Sequence, residues 1–110
     1  MADDTLSRIE EILKGAPALT PEKKAELFGL LGKLREEIAN LDPEHARAAE
    51  NVVAQAKVLT LQALSPDHDR ESLRHALSAL AGSVQRFEQS HPQLVQFTNR
   101  ICTALSNMGI

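Results

Sequence analysis

The sequence predicts an all-α fold: an antiparallel helical bundle of four to five helices with heptad-like seams, in a single domain over residues 1–110. Three observations predict it. The hydrophobic residues, 43% of the chain, are mostly Leu and Ala, with no Trp or Tyr and only Phe28, Phe87 and Phe97 as aromatics. Leu and Ala lose little side-chain entropy in a helix, whereas strands favour β-branched and aromatic residues. Apolar residues recur at alternating steps of four and three, the spacing that keeps one helical face apolar. Proline and glycine cut the chain into five segments of helical length. Extended helical hairpins that complete the core by dimerisation satisfy the same pattern, so the sequence leaves that alternative open. A chain of 110 residues is one domain's worth and can bury one modest core.

The first helix is expected from about Asp4 to Lys14, with Leu6, Ile9 and Leu13 on one face, and it stops at Gly15-Ala16-Pro17. Thr20-Pro21-Glu22 starts the second, since Thr caps and Pro suits a first position whose N–H has no helical partner. It runs to about Asn40 with a stripe of Leu27, Leu31, Leu34, Ile38 and Leu41. Asp42-Pro43-Glu44 repeats the start signal for a third helix to about Leu64, whose stripe is Ala49, Val52, Ala56, Leu59 and Ala63. Ser65-Pro66-Asp67 breaks the chain. Asp67 or Asp69 then caps a fourth helix to about Gln89, with Leu73, Leu77, Leu80, Val84 and Phe87 in its seam. In the fifth, Ser90 and Gln93 fit a reciprocal capping box, with Pro92 in the first turn. Leu94, Thr98, Ile101, Leu105 and Met108 line its stripe, widened by Phe97, Cys102 and Ala104. Gly109 suits a left-handed terminating residue, with Ile110 folding back toward Leu105.

Charge and composition exclude several classes of function. The net charge is −3, and the first 55 residues carry 11 acidic and 7 basic residues against 4 and 5 in the rest. Neither half neutralises a phosphate backbone, so nucleic acid is not an expected partner. Apolar runs are a few residues long, far short of the ~20 that span a bilayer, so no membrane partner is expected either. Met1-Ala2-Asp3-Asp4 lacks the basic start and apolar core of a signal peptide. The lone Cys102 has no intrachain disulfide partner, which suits a reducing cytoplasm.

Candidate chemistry is sparse. His68, Glu71 and His75 share one helical face, at spacings that zinc or another divalent ion could use, but that face lies opposite the Leu seam and reads as a solvated polar surface. Glu88 and His91 show the E-x-x-H spacing of di-iron bundles, but a helix boundary at Ser90 separates them. Cys102 lies in an apolar arc with no nearby cation to stabilise a thiolate, which describes an inert thiol. Gly29-Leu30-Leu31-Gly32 lies inside a helix and lacks the Gly-Lys-Ser/Thr ending of a phosphate loop. No catalytic, metal or cofactor residue is therefore assigned, and no cofactor is expected.

Two surface features stand out. Ala25, Gly29 and Gly32 lie on the second helix away from its main stripe, and a helix-interior Gly costs about 1 kcal/mol relative to Ala. Small residues there would let another helix approach closely. Ala54, Val58 and Leu61 form a second apolar stripe on the third helix, and a helix apolar on two sides is either central in its bundle or faces a partner. From Gln89 to Ile110 the only charged residue is Arg100, which predicts that the last helix is buried in the bundle or at a subunit interface.

Phe87-Glu88-Gln89-Ser90-His91-Pro92 and Leu105-Ser106-Asn107-Met108-Gly109-Ile110 resemble a bacterial family of small helical proteins classed as a domain of unknown function. Its members end in an "SHP" helix start followed by an "LSNMGI"-like terminus. The resemblance implies a small helical cytoplasmic protein and brings no activity with it.

The functional expectation is a non-enzymatic helical interaction protein, a homo-oligomer or an adaptor for another helical protein, with Ala25, Gly29, Gly32, Ala54, Val58 and Leu61 as interface candidates. The alternative is a small-molecule or metal-binding helical bundle.

Overall fold

Thr20 is extended, and its hydroxyl accepts a hydrogen bond from the Lys23 N–H at 3.2 Å while Pro21 opens the helix. This is the start that the Thr-Pro-Glu signal predicts. The structure is a computed structural model, which describes residues 2–17, 19–65 and 69–109 and side chains as far as Asn107. Among these residues it is helical throughout: α1 (Ala2–Lys14), α2 (Pro21–Ala39), α3 (Pro43–Leu64), α4 (Arg70–Val84) and α5 (Pro92–Gly109), with a short 3₁₀ turn over Gln85–Phe87. Gly109 is helical as the last residue of α5, and no described glycine has a positive φ, so it is not the left-handed terminating residue expected; the places of Met108 and Ile110 in the predicted stripe and fold-back lie outside the described side chains and residues, as do Pro66, Asp67 and His68.

Local chemistry accounts for most boundaries. Asp69 caps α4, accepting from the Ser72 N–H at 2.6 Å. Asp42 precedes α3 in an extended conformation but makes no side-chain cap. Two boundaries differ from the sequence expectation. The fourth helix ends at Val84, five residues before Gln89, because the chain tightens into the 3₁₀ turn that carries Phe87 into the core at 0% exposure. The fifth helix begins at Pro92, so His91 holds the capping position that was expected for Ser90. Pro92 sets that start, because a proline ring is accommodated at the first helical position and not further in.

The seams meet in one hydrophobic core. Leu6, Ile9 and Leu13 of α1, Leu27, Leu31 and Leu34 of α2, Ala49, Ala56 and Leu59 of α3, Leu80 of α4, and Leu94, Ile101 and Leu105 of α5 are all buried in it. Two threonines are buried with them. The Thr60 and Thr98 hydroxyls donate to the carbonyls of Ala56 and Leu94, each at 2.8 Å, which satisfies them inside their own helices. The element pairing is specific. α3 packs against α1, α4 and α5, and α2 packs against α5 and α1. α2 and α3 make no substantial contact with each other, and α1 bridges them. The radius of gyration of 13.0 Å and extents of 38 × 26 × 21 Å are those of a chain of this length folded back on itself. Its apolar seams are thus buried within one chain. No helix among the described residues is long and apolar enough to cross a membrane.

Candidate functional site

The outward side of α3 follows from its period. Ala49, Val53, Ala56 and Thr60 turn inward at steps of four and three, and Ala54, Val58 and Leu61 fall on the far side of the same helix. All three are exposed. Val58 at 45% and Leu61 at 47% are the large hydrophobic residues that the fold leaves in solvent among those described. Packing inside the chain, one of the two uses the sequence allowed for this stripe, is therefore not what the fold does with it.

The small-residue face of α2 is open in the same way. Ala25 and Gly29 are exposed and Gly32 is half-buried. A methyl group added at Gly29 or Gly32 would meet nothing within 4 Å. No helix of this chain uses the close approach that glycine permits there. The two candidate patches lie on different helices, α2 and α3, which make no substantial contact with each other.

Within this chain the last helix is not buried all round, which was one of the two placements the sequence allowed for it. α5 buries Leu94, Thr98, Ile101, Ala104 and Leu105, but Gln93, Gln96, Asn99, Arg100 and Thr103 are exposed. Its lack of charge therefore reflects an exposed neutral polar face rather than burial all round, since Gln, Asn and Thr satisfy water without carrying charge. Part of this face and α2 border an open groove of about 720 Å³, floored by Leu30 and Val95 and edged by Glu26, Gln96, Asn99 and Arg100. At the next turn of α2, the Lys33 ammonium lies over the Phe97 ring, 5.6 Å from its centroid.

One cluster was missed by sequence reasoning. His45 in the first turn of α3 and His91 at the start of α5 meet edge to face, with centroids 5.5 Å apart, over the buried ring of Phe87. The His45 Nδ1 is enclosed and makes no hydrogen bond, and the nearest Asp42 carboxylate oxygen is 3.8 Å away. The available signal was that each histidine lies within two residues of a helix-starting proline; what the sequence does not reveal is that the two starts lie side by side.

The remaining candidates are dispersed. His68 lies outside the described residues, and Glu71 and His75 are both exposed on α4. Among the described residues no group of three His, Cys, Asp or Glu side chains is placed to hold a metal ion. Glu88 is exposed on the turn before α5 while His91 faces Phe87. Cys102 is partly buried, and burial pushes its thiol up to about 11, which keeps it protonated at neutral pH. The most connected polar group is Arg35 of α2. Its guanidinium donates to Glu10 at 3.1 and 3.3 Å, to Asp3 at 2.7 Å and to the Ser7 hydroxyl at 3.1 Å, all on α1. The hydrogen bonds to Glu10 raise its pKa above the ordinary value.

The family model described as "Domain of unknown function (DUF4404)" matches residues 27–110. That is well over half of the chain, and the chain belongs to this family. No curated protein and no solved structure matches it.

Proposed function

We propose that this chain is a non-enzymatic helical interaction protein of the bacterial cytoplasm, acting by self-association or as a small adaptor for another helical protein. The observation that carries the reading is the outward stripe of α3. Val58 and Leu61 stay in solvent beside Ala54, although the chain has an otherwise complete core into which large apolar residues go. Exposed aliphatic side chains at helical spacing form the face that an amphipathic helix presents to a partner helix. The small-residue face of α2 supports the same reading, because its open glycines permit a close helix–helix approach.

The test is absolute mass by light scattering across a concentration series, for the native chain and for Val58→Glu/Leu61→Glu. Both positions are half exposed, so the substitutions should move monomer stability by no more than about 0.5 kcal/mol each. The expected result is a concentration-dependent mass above 12.0 kDa in the native chain that the double substitution lowers. If the variant associates as the native chain does and captures the same partners, the reading fails.

A further inference from the structure

The groove between α2 and α5 and the outward stripe of α3 are separate features with matching chemistry. The groove has an apolar floor of Leu30 and Val95. Its α2 wall carries Glu26 and, two turns on, Lys33, which lies over the Phe97 ring of α5. The α5 wall is neutral at Gln96, Asn99 and Thr103, and Arg100 is its charged member. On α3, helical period runs Glu50 and Lys57 along one edge of the Ala54, Val58 and Leu61 stripe, and Gln55 and Gln62 along the other. Glu50 is exposed and the other three edge residues are half-buried. Within one chain the two features do not meet, since the stripe is on the outward side of α3, and α2 and α3 make no substantial contact.

We propose that this groove takes the outward face of α3 from a second copy of the chain, lying antiparallel to α2. The proposal rests on the self-association arm of the function proposed above and names the surface that the stripe meets. Both halves of the complement are on this chain, which makes a second copy the occupant. Charge sets the register. Glu26 and Lys33 are seven residues apart, as are Glu50 and Lys57, so each pair spans two turns, about 10 Å, along its helix. Run antiparallel, one register brings Lys57 to Glu26 and Glu50 to Lys33 together. The hand of the helix agrees with it. A right-handed helix antiparallel to α2, with its stripe in the groove, turns its Glu50 and Lys57 edge to α2. Its Gln55 and Gln62 edge then faces the neutral wall of α5, where amides meet amides. At that register Ala54 falls opposite Gly29, where a methyl group would meet nothing within 4 Å, so the second helix can come close. Two walls cover both flanks of the stripe. The contact is still small beside the roughly 800 Å² per partner of a standard interface, so it is weak and builds up at high concentration.

The test uses two full-length double variants, Glu26→Lys/Lys33→Glu in the groove wall and Glu50→Lys/Lys57→Glu beside the stripe. Neither changes the net charge. Each alone sets like charges across every groove–stripe contact. In a mixture, contacts between unlike chains are complementary, one kind in the native sense and one reversed. Light scattering over a concentration series extended to the solubility limit reads the result. The native chain should associate, each variant alone roughly tenfold more weakly, and the mixture should recover native strength, a recovery that fades at high salt. A mixture that associates no better than its separate components overturns groove pairing while leaving self-association by another surface standing. A native chain that stays at 12.0 kDa throughout overturns both. A second measurement needs no charge reversal. In a Cys102→Ser background, Glu26→Cys in one chain and Lys57→Cys in another should join by a disulfide under mild oxidation, in several-fold greater yield than Glu26→Cys with Glu50→Cys. Equal yields overturn the proposal, whatever the folding of the charge variants.

Discussion

Gly29 and Gly32 each occupy a helix interior with open space where a methyl group would go. Alanine at either position should therefore stabilise the single chain by about 1 kcal/mol, read by urea unfolding at low protein concentration. If that face meets another helix, the same substitutions should weaken association in a light-scattering titration, so the two readouts would move in opposite directions. Cys102 gives a second residue-scale expectation. With its thiol pushed up to about 11 by burial, alkylation of the folded chain should be slow at pH 8 and rise about tenfold per pH unit until that value. Stability follows the same group. The unfolded chain releases this proton first, from about 9, so unfolding should become easier from there and level off near 11. The period placed Ala54, Val58 and Leu61 together on one side of α3, but their exposure was not legible, because period assigns a side of a helix and not what packs on it. The contact between His45 and His91 was not legible either, because no local pattern encodes which helix starts become neighbours.

At the scale of elements, the steps of four and three located the cores of all five helices, and the Thr20-Pro21 and Asp42-Pro43 signals located two starts to the residue. The C-terminal part of the fourth helix was misread for a physical reason. Phe87 continues the α-helical spacing in sequence, but its ring reaches the core through a tighter turn that ends the helix at Val84. In the same way, neutral polar residues on α5 look like burial within the bundle in a charge count and lie on the surface of the single chain. α1 lies outside the matched family region, yet its three apolar residues are as buried as any in the molecule. Ile9→Ala should cost 2–5 kcal/mol, in the range of large-to-small core changes, whereas Val58→Ala should cost a few tenths. Thermal unfolding of the two variants side by side checks this contrast.

Over the whole molecule, burial is uneven in a way that predicts its dynamics. α3 has neighbours on three sides, α1, α4 and α5, whereas α1 lies between two helices. Local opening begins where the fewest contacts must be broken. Amide hydrogen exchange should therefore be slowest in the middle of α3, from Val52 to Leu59, and α1 should open before the rest. Protection in α1 equal to that of α3 would show that the two open only together. The pairing of elements, unlike their existence, was not legible in the sequence, since five amphipathic helices of similar length admit many arrangements. What selects this one is the match of whole faces, and those faces are assembled from residues far apart along the chain.

α2 finds its main neighbour in α5, with all of residues 40–91 between them. During synthesis, α3 and α4 can close on each other as soon as α4 has been made. The leucines of α2 must wait until α5 has been made. Closing so long a loop costs little more entropy than closing one half its length, so the delay is one of time more than of energy. Until α5 emerges, α2 lacks its main neighbour, and its leucines leave a sticky face on the nascent chain.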